Sequence, residues 1–296
     1  MISFSKLGNY GRLGNQLFQY AYLRTLARRL GTKFYCPTWD GDAIFELNDG
    51  DERAVEPVGI TGFYDQDPQA GYSPEALEVG DGAEIQGFFQ SEKYYDDPAA
   101  VRSWYTFREP IVAEAMDKYG LLPLADFTSF SLRLDSDYEN IREYLPRYPR
   151  SYYERADRRL GGTSPLLIFA DRPDLAREYL ADYPTHGREV VFAEGLSGPA
   201  QLYLMTRCGA NILTNSTFAW WGGWLNSTPG ARIVAPSHWN RPGIPIPIRD
   251  ILCDSWIKVP GTVPVWDHLY FWRIRHPSII VTKIQEKLGL RQAAWK

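Results

Sequence analysis

The sequence predicts an α/β protein with two Rossmann-like halves, each a parallel sheet covered by helices. Three observations carry that expectation. The chain opens with an apolar run at residues 1–4, a turn rich in Gly8, Gly11 and Gly14, a long segment at helical spacing and a second apolar run at 33–36. This is a β-α-β start of the doubly wound type. From about residue 125, strand-length apolar runs alternate with helical patterns. Finally, TNSTFAWWGGWL at 214–225 follows the apolar run 210–213 and reads as strand, tight turn and helix.

Taken in order, Leu17, Tyr20, Ala21, Leu26 and Leu30 recur at helical spacing until Gly31 stops the run. Residues 40–80 mix short apolar pieces with Asp, Gly and Pro and read as loops with a few short strands. Residues 83–87 read as a strand, FFQSEKYYDD as a helix entry, and 98–105 and 111–119 as helices. Pro123 marks a linker, which places a boundary between a domain at 1–124 and one at 125–265. In the second domain, strands are expected at 128–134, 166–170, 189–193 and 210–213. Helices are expected at 151–160, after ADRPD, at 201–208 and from about 215. The tail, 266–296, carries a helical pattern at 277–288 and six basic residues against two acidic ones. The preferred reading is a helix docked across both domains. The competing one is a peripheral contact with an acidic membrane surface through Trp272, Arg273 and Arg275.

Composition narrows the function classes. With 296 residues, 44% hydrophobic and 23% charged, the chain can bury a substantial core, and a disordered or fibrous protein is not expected. A net charge of −4 supplies no field for nucleic acid. Cys36, Cys208 and Cys253 are odd in number and lack metal-site spacing, which points to a reducing compartment and no structural zinc. No run is apolar and long enough for a signal peptide or a membrane span, so a soluble cytoplasmic protein, peripheral at the membrane if the tail binds there, is expected. The 10 Trp, 19 Tyr and 14 Phe suit sugar rings or interfaces as well as a core, and for most of them the core is the better reading.

Parallel sheets bind ligands at the carboxyl ends of their strands, and the loops 11–16, 133–137, 171–172 and 215–217 fall there. A helix starting near Asn215 or Ser216 offers unpaired N–H groups and the positive end of its dipole, with the Ser216 and Thr217 hydroxyls as added donors. An ordinary N-cap on a buried helix is the competing reading. The aromatic half of that segment, 218–224, reads mostly as buried helix body. If the two sheets face each other, these loops converge on one cleft with what transfer from a nucleotide sugar requires. That is donors for a diphosphate, a carboxylate or amide for base and ribose, and charge stabilisation of the leaving group. Arg133 is a fixed cation at a strand end, or alternatively only the ion-pair partner of Asp135 or Asp137. Those two aspartates also spell Asp-x-Asp, a pattern that elsewhere ligates a divalent metal on the diphosphate. Glu92, Asp135 and Asp137 are the carboxylates near motif loops that can serve as base to the acceptor hydroxyl.

Four collinear blocks sharpen this. GRLGNQLFQYA from Gly11, GFFQSEKYYDD from Gly87, LLIFADRPD from Leu166 and LYLMTRCGANILTNSTFAWWGGWL from Leu202, with APSHW from Ala235, resemble glycosyltransferase family 11, the α-1,2-fucosyltransferases. The resemblance implies a glycosyltransferase B fold and metal-independent, inverting transfer from GDP-fucose to a sugar hydroxyl of a glycan acceptor in surface polysaccharide synthesis, without a cofactor. It implies that Gly14, Asn15 and Gln16 face donor phosphates and acceptor. Arg133 corresponds to the first arginine of a His-x-Arg-Arg-x-Asp motif expected on the β-phosphate. Asp171, followed by Arg172, is expected near guanine or ribose, and Asn215, Ser216, Thr217 and Phe218 form a second phosphate loop. The chain departs from the family in the arginine motif, SFSLRLDSDY, where Ser131 stands for His and Leu134 for the second Arg. A related sugar donor, a metal-dependent transfer through Asp135 and Asp137, or a catalytically silent carbohydrate-binding protein are the alternatives this leaves.

Overall fold

The computed structural model describes residues 1–67, 71–134, 145–240 and 248–261. The first sheet is parallel with order β2-β1-β4-β3, formed by β1 (Ile2–Ser3), β2 (Phe34–Tyr35), β3 (Gly62–Asp65) and β4 (Ala83–Gln86). Helix α1 (Leu13–Leu30) links β1 to β2 and stops where expected. Gly31 adopts φ 63°, a left-handed conformation that costs glycine little, and its N–H bonds back to the last turn. Between β2 and β3 lies α2 (Asp40–Ile44), which sequence periodicity missed because five residues are too few to show a helical repeat. After β4 come α3 (Pro98–Trp104), capped by the Asp97 carboxylate, and α4 (Glu109–Tyr119).

The second sheet is also parallel, with order β10-β9-β8-β5-β6-β7. Its strands are β5 (Thr128–Leu132), β6 (Leu166–Ala170), β7 (Val190–Phe192), β8 (Ala210–Ile212), β9 (Arg232–Pro236) and β10 (Ile257–Val259). The helices between them are α5 (Arg150–Leu160), α6 (Pro173–Leu180), α7 (Gly198–Met205) and α8 (Thr217–Trp224). The expected strands and helices of this half are present, and β9 and β10 extend the sheet beyond them. The chain builds outward from β5 to β7, then crosses back and lays β8, β9 and β10 on the other side of β5. The strand order therefore reverses between β5 and β8, and in the first sheet between β1 and β4. Such reversals open crevices at the carboxyl edge of a parallel sheet.

Side chains alternate between the faces of the second sheet at the two-residue period of a strand. Leu166 and Ile168 of β6 join Tyr152, Tyr153 and Ala156 of α5 and Ala176 of α6 in one cluster. Leu167 and Phe169 face the other way, into a cluster shared with Leu17 and Phe18 of α1 and with Trp220, Trp221 and Trp224 of α8. The two sheets thus share a core. Helix α1 packs across α8, and α4 lies along α7. Phe18 meets Trp220 at 4.4 Å and Trp221 at 4.9 Å between ring centroids. Each indole of α8 also satisfies its N–H, on the carbonyls of Ile251 and Gly14 and on the Glu92 carboxylate. The three cysteines are free and buried. No helix among the described residues is long and apolar enough to cross a membrane. The tail, including Trp272, Arg273 and Arg275, lies outside the described residues.

Inside α1, Arg24 is only 2% exposed. Its guanidinium donates to the Leu47 carbonyl (2.7 Å) and to Glu52 (2.8 Å), and stacks 4.5 Å from the Trp104 ring. This ties α1 to the chain segment after α2. Burial alone would raise the Glu52 carboxyl, but hydrogen bonds and charge from Arg24 and Arg28 outweigh it and hold the group at about 2. A carboxyl whose pKa is lower in the folded state contributes stability that is complete above its unfolded pKa and disappears as the pH falls through the folded one. Glu52→Gln is therefore expected to lower the melting temperature at neutral pH and to flatten its decline between pH 4.5 and 2, the wild type and variant converging near pH 2. Calorimetric scans across that window test this, and parallel curves would contradict it.

Candidate active site

Three of the sequence-predicted loops emerge side by side from the second sheet. The register pairs Phe130 of β5 with Ile212 of β8, and Leu132 of β5 with Ala170 of β6. The chain leaving β5 at Arg133 is consequently flanked by Asp171 on one side and by residues 214–217 on the other, at the crevice where the strand order reverses. Arg133 is half-buried. Asp171 accepts the Leu134 backbone N–H at 2.7 Å, so its carboxylate braces the segment that carries Arg133.

The decisive geometry lies where the first sheet's helix meets the second's. Gly14, in the first turn of α1, packs directly on the first turn of α8. A Cβ at Gly14 would fall 2.6 Å from the Phe218 nitrogen and from the Thr217 Oγ1. The Gly14 carbonyl accepts the Trp221 indole N–H at 3.0 Å, which locks the contact. Neither helix has an acidic residue in its first turn, and α1 has no side-chain cap. In α8 the Ser216 hydroxyl accepts only the Ala219 N–H, at a long 3.5 Å. Among the described residues no protein acceptor takes the N–H groups of Leu13, Gly14, Thr217 or Phe218. Two positive helix ends are held together with their donors open. Each is equivalent to about half a positive charge, so their juxtaposition favours a bound anion with more than one negative charge.

The opposite rim comes from the first sheet's own reversal point. Asn15 accepts the Gln90 side-chain N–H at 2.9 Å, which joins the first turn of α1 to the loop after β4. Two buried amides hold that loop and the one after β1. Gln19 donates to the carbonyls of Tyr10 (2.9 Å) and Gly87 (3.1 Å), and Gln66 accepts the N–H groups of Phe88 (3.0 Å) and Phe89 (2.7 Å). The chain turns there through Phe89, at φ 50°, a conformation that costs a side-chain-bearing residue about 1–3 kcal/mol. Its ring offsets the strain by stacking 3.8 Å from Tyr22. Gln19, Gln66 and Gln90 were missed by sequence reading. The signal available was the FFQ sequence next to Gly87, a glycine whose Cβ would meet Gln66 at 2.5 Å.

Several expected ligand residues are instead structural. Gln16 is 2% exposed, donates to the carbonyls of Gly8 and Gly11 and accepts from Asp40, so it fastens the glycine-rich loop and does not face the cleft. Asn215 is 1% exposed and donates to the carbonyls of Pro146 and Trp239, bracing the turn before α8. Phe218 is half-buried and packs on the core, while Arg172 pairs with Asp174 at 2.6 Å in the first turn of α6. Glu92 is placed away from the reacting centre. Its carboxylate accepts the Trp224 indole N–H at the far end of α8, about 10 Å of helix from Thr217. A carboxylate there cannot take a proton from an acceptor seated at the α8 N-terminus. Asp135 and Asp137 lie outside the described residues. Among the described residues, no group of three or more His, Cys, Asp and Glu side chains is arranged to hold a metal ion.

Comparison with known proteins agrees with this architecture. The model of glycosyl transferase family 11 matches residues 166–258, the segment from β6 to β10. The chain is 25% identical to the O-antigen biosynthesis glycosyltransferase WbnK of Escherichia coli, over 84% of its own length and 98% of the relative's. It is 23% identical to an α-1,2-colitosyltransferase of Escherichia coli, over 77% and 90% of the two chains. The crystal structure of POFUT1 in complex with GDP-fucose superposes with a TM-score of 0.51 at 12% identity, over 79% of this chain and 97% of that one. That last likeness concerns the fold, which is of the glycosyltransferase B type. The resemblance read from the four sequence blocks is borne out. The chain is a glycosyltransferase that resembles those of family 11 over residues 166–258 and is similar to enzymes of O-antigen synthesis.

The α1–α8 contact has no room for a methyl group, because it would meet the backbone of Thr217 and Phe218 as well as the Thr217 hydroxyl. Gly14→Ala is expected to cost about 1–3 kcal/mol of stability through overpacking. Urea unfolding measures this, and a loss under about 0.5 kcal/mol would show that the contact yields cheaply.

Proposed function

We propose that the protein transfers L-fucose, with inversion, from GDP-fucose to a hydroxyl of a glycan acceptor such as the 2-OH of a galactose residue, in the synthesis of a surface polysaccharide. One observation carries the reading: the two open helix N-termini meet beside Arg133 at the strand-order reversal. In the reaction the acceptor oxygen bonds to the anomeric carbon as the bond to the β-phosphate oxygen breaks, the hydroxyl proton is released to water, and negative charge grows on the departing GDP. In this reading the N–H groups of α1 and α8 and the Arg133 guanidinium stabilise that charge as it develops, with little reorganisation during the reaction. Asp171 holds the Arg133 segment through Leu134. Asn15 and Gln90 supply uncharged donors and acceptors for sugar hydroxyls on the facing rim.

These fixed charges support a metal-independent transfer without a cofactor, and the three free thiols accord with action in the cytoplasm. A second reading keeps the mechanism and changes the sugar. The α-1,2-colitosyltransferase among the relatives, together with Ser131 and Leu134 in the arginine motif, favours a related deoxy-sugar carried on GDP.

Loss of one charge-assisted phosphate contact is worth on the order of 3 kcal/mol in the transition state, so Arg133→Ala is expected to cut turnover by about a hundredfold or more. Transfer of label from GDP-fucose to a galactoside, run with and without excess EDTA, measures both claims. Near-wild-type turnover in the variant would overturn the role of Arg133. Loss of activity in EDTA, restored by Mn²⁺, would replace the fixed-cation mechanism with a metal at Asp135 and Asp137.

A further inference from the structure

Beside the Asn15–Gln90 pair lies a feature that donor binding does not use. Tyr10 and Phe88 stack face to face, with ring centroids 4.7 Å apart and planes 8° from parallel. Both are half-buried; Tyr10 packs on the first hydrophobic cluster, while among the described residues Phe88 packs against neither cluster. A large aromatic ring that contributes to no core still loses freedom by being held still. Here the holding is extensive. Gln19, fully buried, donates to the Tyr10 carbonyl on one loop and to the Gly87 carbonyl on the other. Gln66, also buried, accepts the Phe88 N–H, and Phe89 carries the strained turn that follows. The result is a rigid aromatic shelf at the carboxyl ends of β1 and β4, flanked by an amide pair. Through Asn15 that pair adjoins Gly14 and hence the first turn of α8.

Resting on the function proposed above, we propose that Tyr10 and Phe88, with the Asn15–Gln90 amides, form the subsite that orients the acceptor sugar. An aromatic face beside amides is the chemistry that recognises a neutral pyranose. The ring offers a polarisable, electron-rich face to the sugar's C–H bonds, and the amides read its hydroxyls. The best fit is a pyranose whose C–H groups gather on one face, as the axial 4-hydroxyl arranges in galactopyranosides. The sugar is fixed with a hydroxyl toward the helix ends, and its orientation sets which hydroxyl is glycosylated.

The test uses the full chain with methyl β-D-galactopyranoside as acceptor and GDP-fucose as donor. Phe88→Leu is expected to raise the acceptor KM at least tenfold and Phe88→Tyr to restore it to within threefold, while the GDP dissociation constant measured by calorimetry stays within twofold of wild type. Saturation-transfer difference NMR of the same galactoside with GDP present should place the strongest enhancement on one face of the sugar and lose it in Phe88→Leu. An unchanged acceptor KM in a folded Phe88→Leu variant overturns the subsite. A fall in GDP affinity also overturns it, because it would assign the shelf to the base. Failure of the wild type to bind GDP at all would instead remove the transferase reading on which the subsite rests.

Discussion

The structure depends on the contact between the first turns of α1 and α8. Two helices whose positive ends abut repel each other, and nothing acidic in either first turn relieves that repulsion. The contact persists because packing behind it is dense. Phe18, Trp220 and Trp221 interlock, and the Trp221 indole reaches back to the Gly14 carbonyl. The shared core thus holds the first sheet's helix against the second's, in an arrangement whose electrostatics a bound anion would complete. A diphosphate leaving group is such an anion, and one that gains charge as the glycosidic bond breaks.

The residues around this contact divide into those that present chemistry and those that hold the presenters in place. Buried amides dominate the second group. Gln16, Gln19, Gln66 and Asn215 fix loops at the carboxyl ends of the strands by bonding to their backbone carbonyls and N–H groups. A buried amide is costly unless its polar atoms are paired, so each such residue specifies one loop conformation strongly. Loops held in this way are rigid enough for the sugar and diphosphate positioning that the proposed function requires.

Much of this was legible in the sequence. Doubly wound topology followed from alternating strand and helix patterns, and the tight turn before α8 from hydroxyl residues between an apolar run and an aromatic helix. Gly31 and the buried tryptophans behaved as their residue types dictate. What escaped was non-local. Gln16 and Asn215 look like ligand residues because amides serve both ligands and backbone, and only the fold shows that their partners are carbonyls at Gly8, Gly11 and Pro146. Glu92 sits in a motif block, yet the length of α8 carries its partner Trp224 away from the reacting end. Gln90 became visible only once β1 and β4 were seen to be neighbours, a pairing that no local pattern encodes.

The most direct measurement is a calorimetric titration of the full chain with GDP, GMP and guanosine at two salt concentrations. If the paired helix ends and Arg133 form a diphosphate site, affinity falls by at least about tenfold for each phosphate removed, a step of about 1.4 kcal/mol. The gap between GDP and guanosine then narrows as salt screens the charge. Guanosine binding as tightly as GDP, with no dependence on salt, would contradict the account.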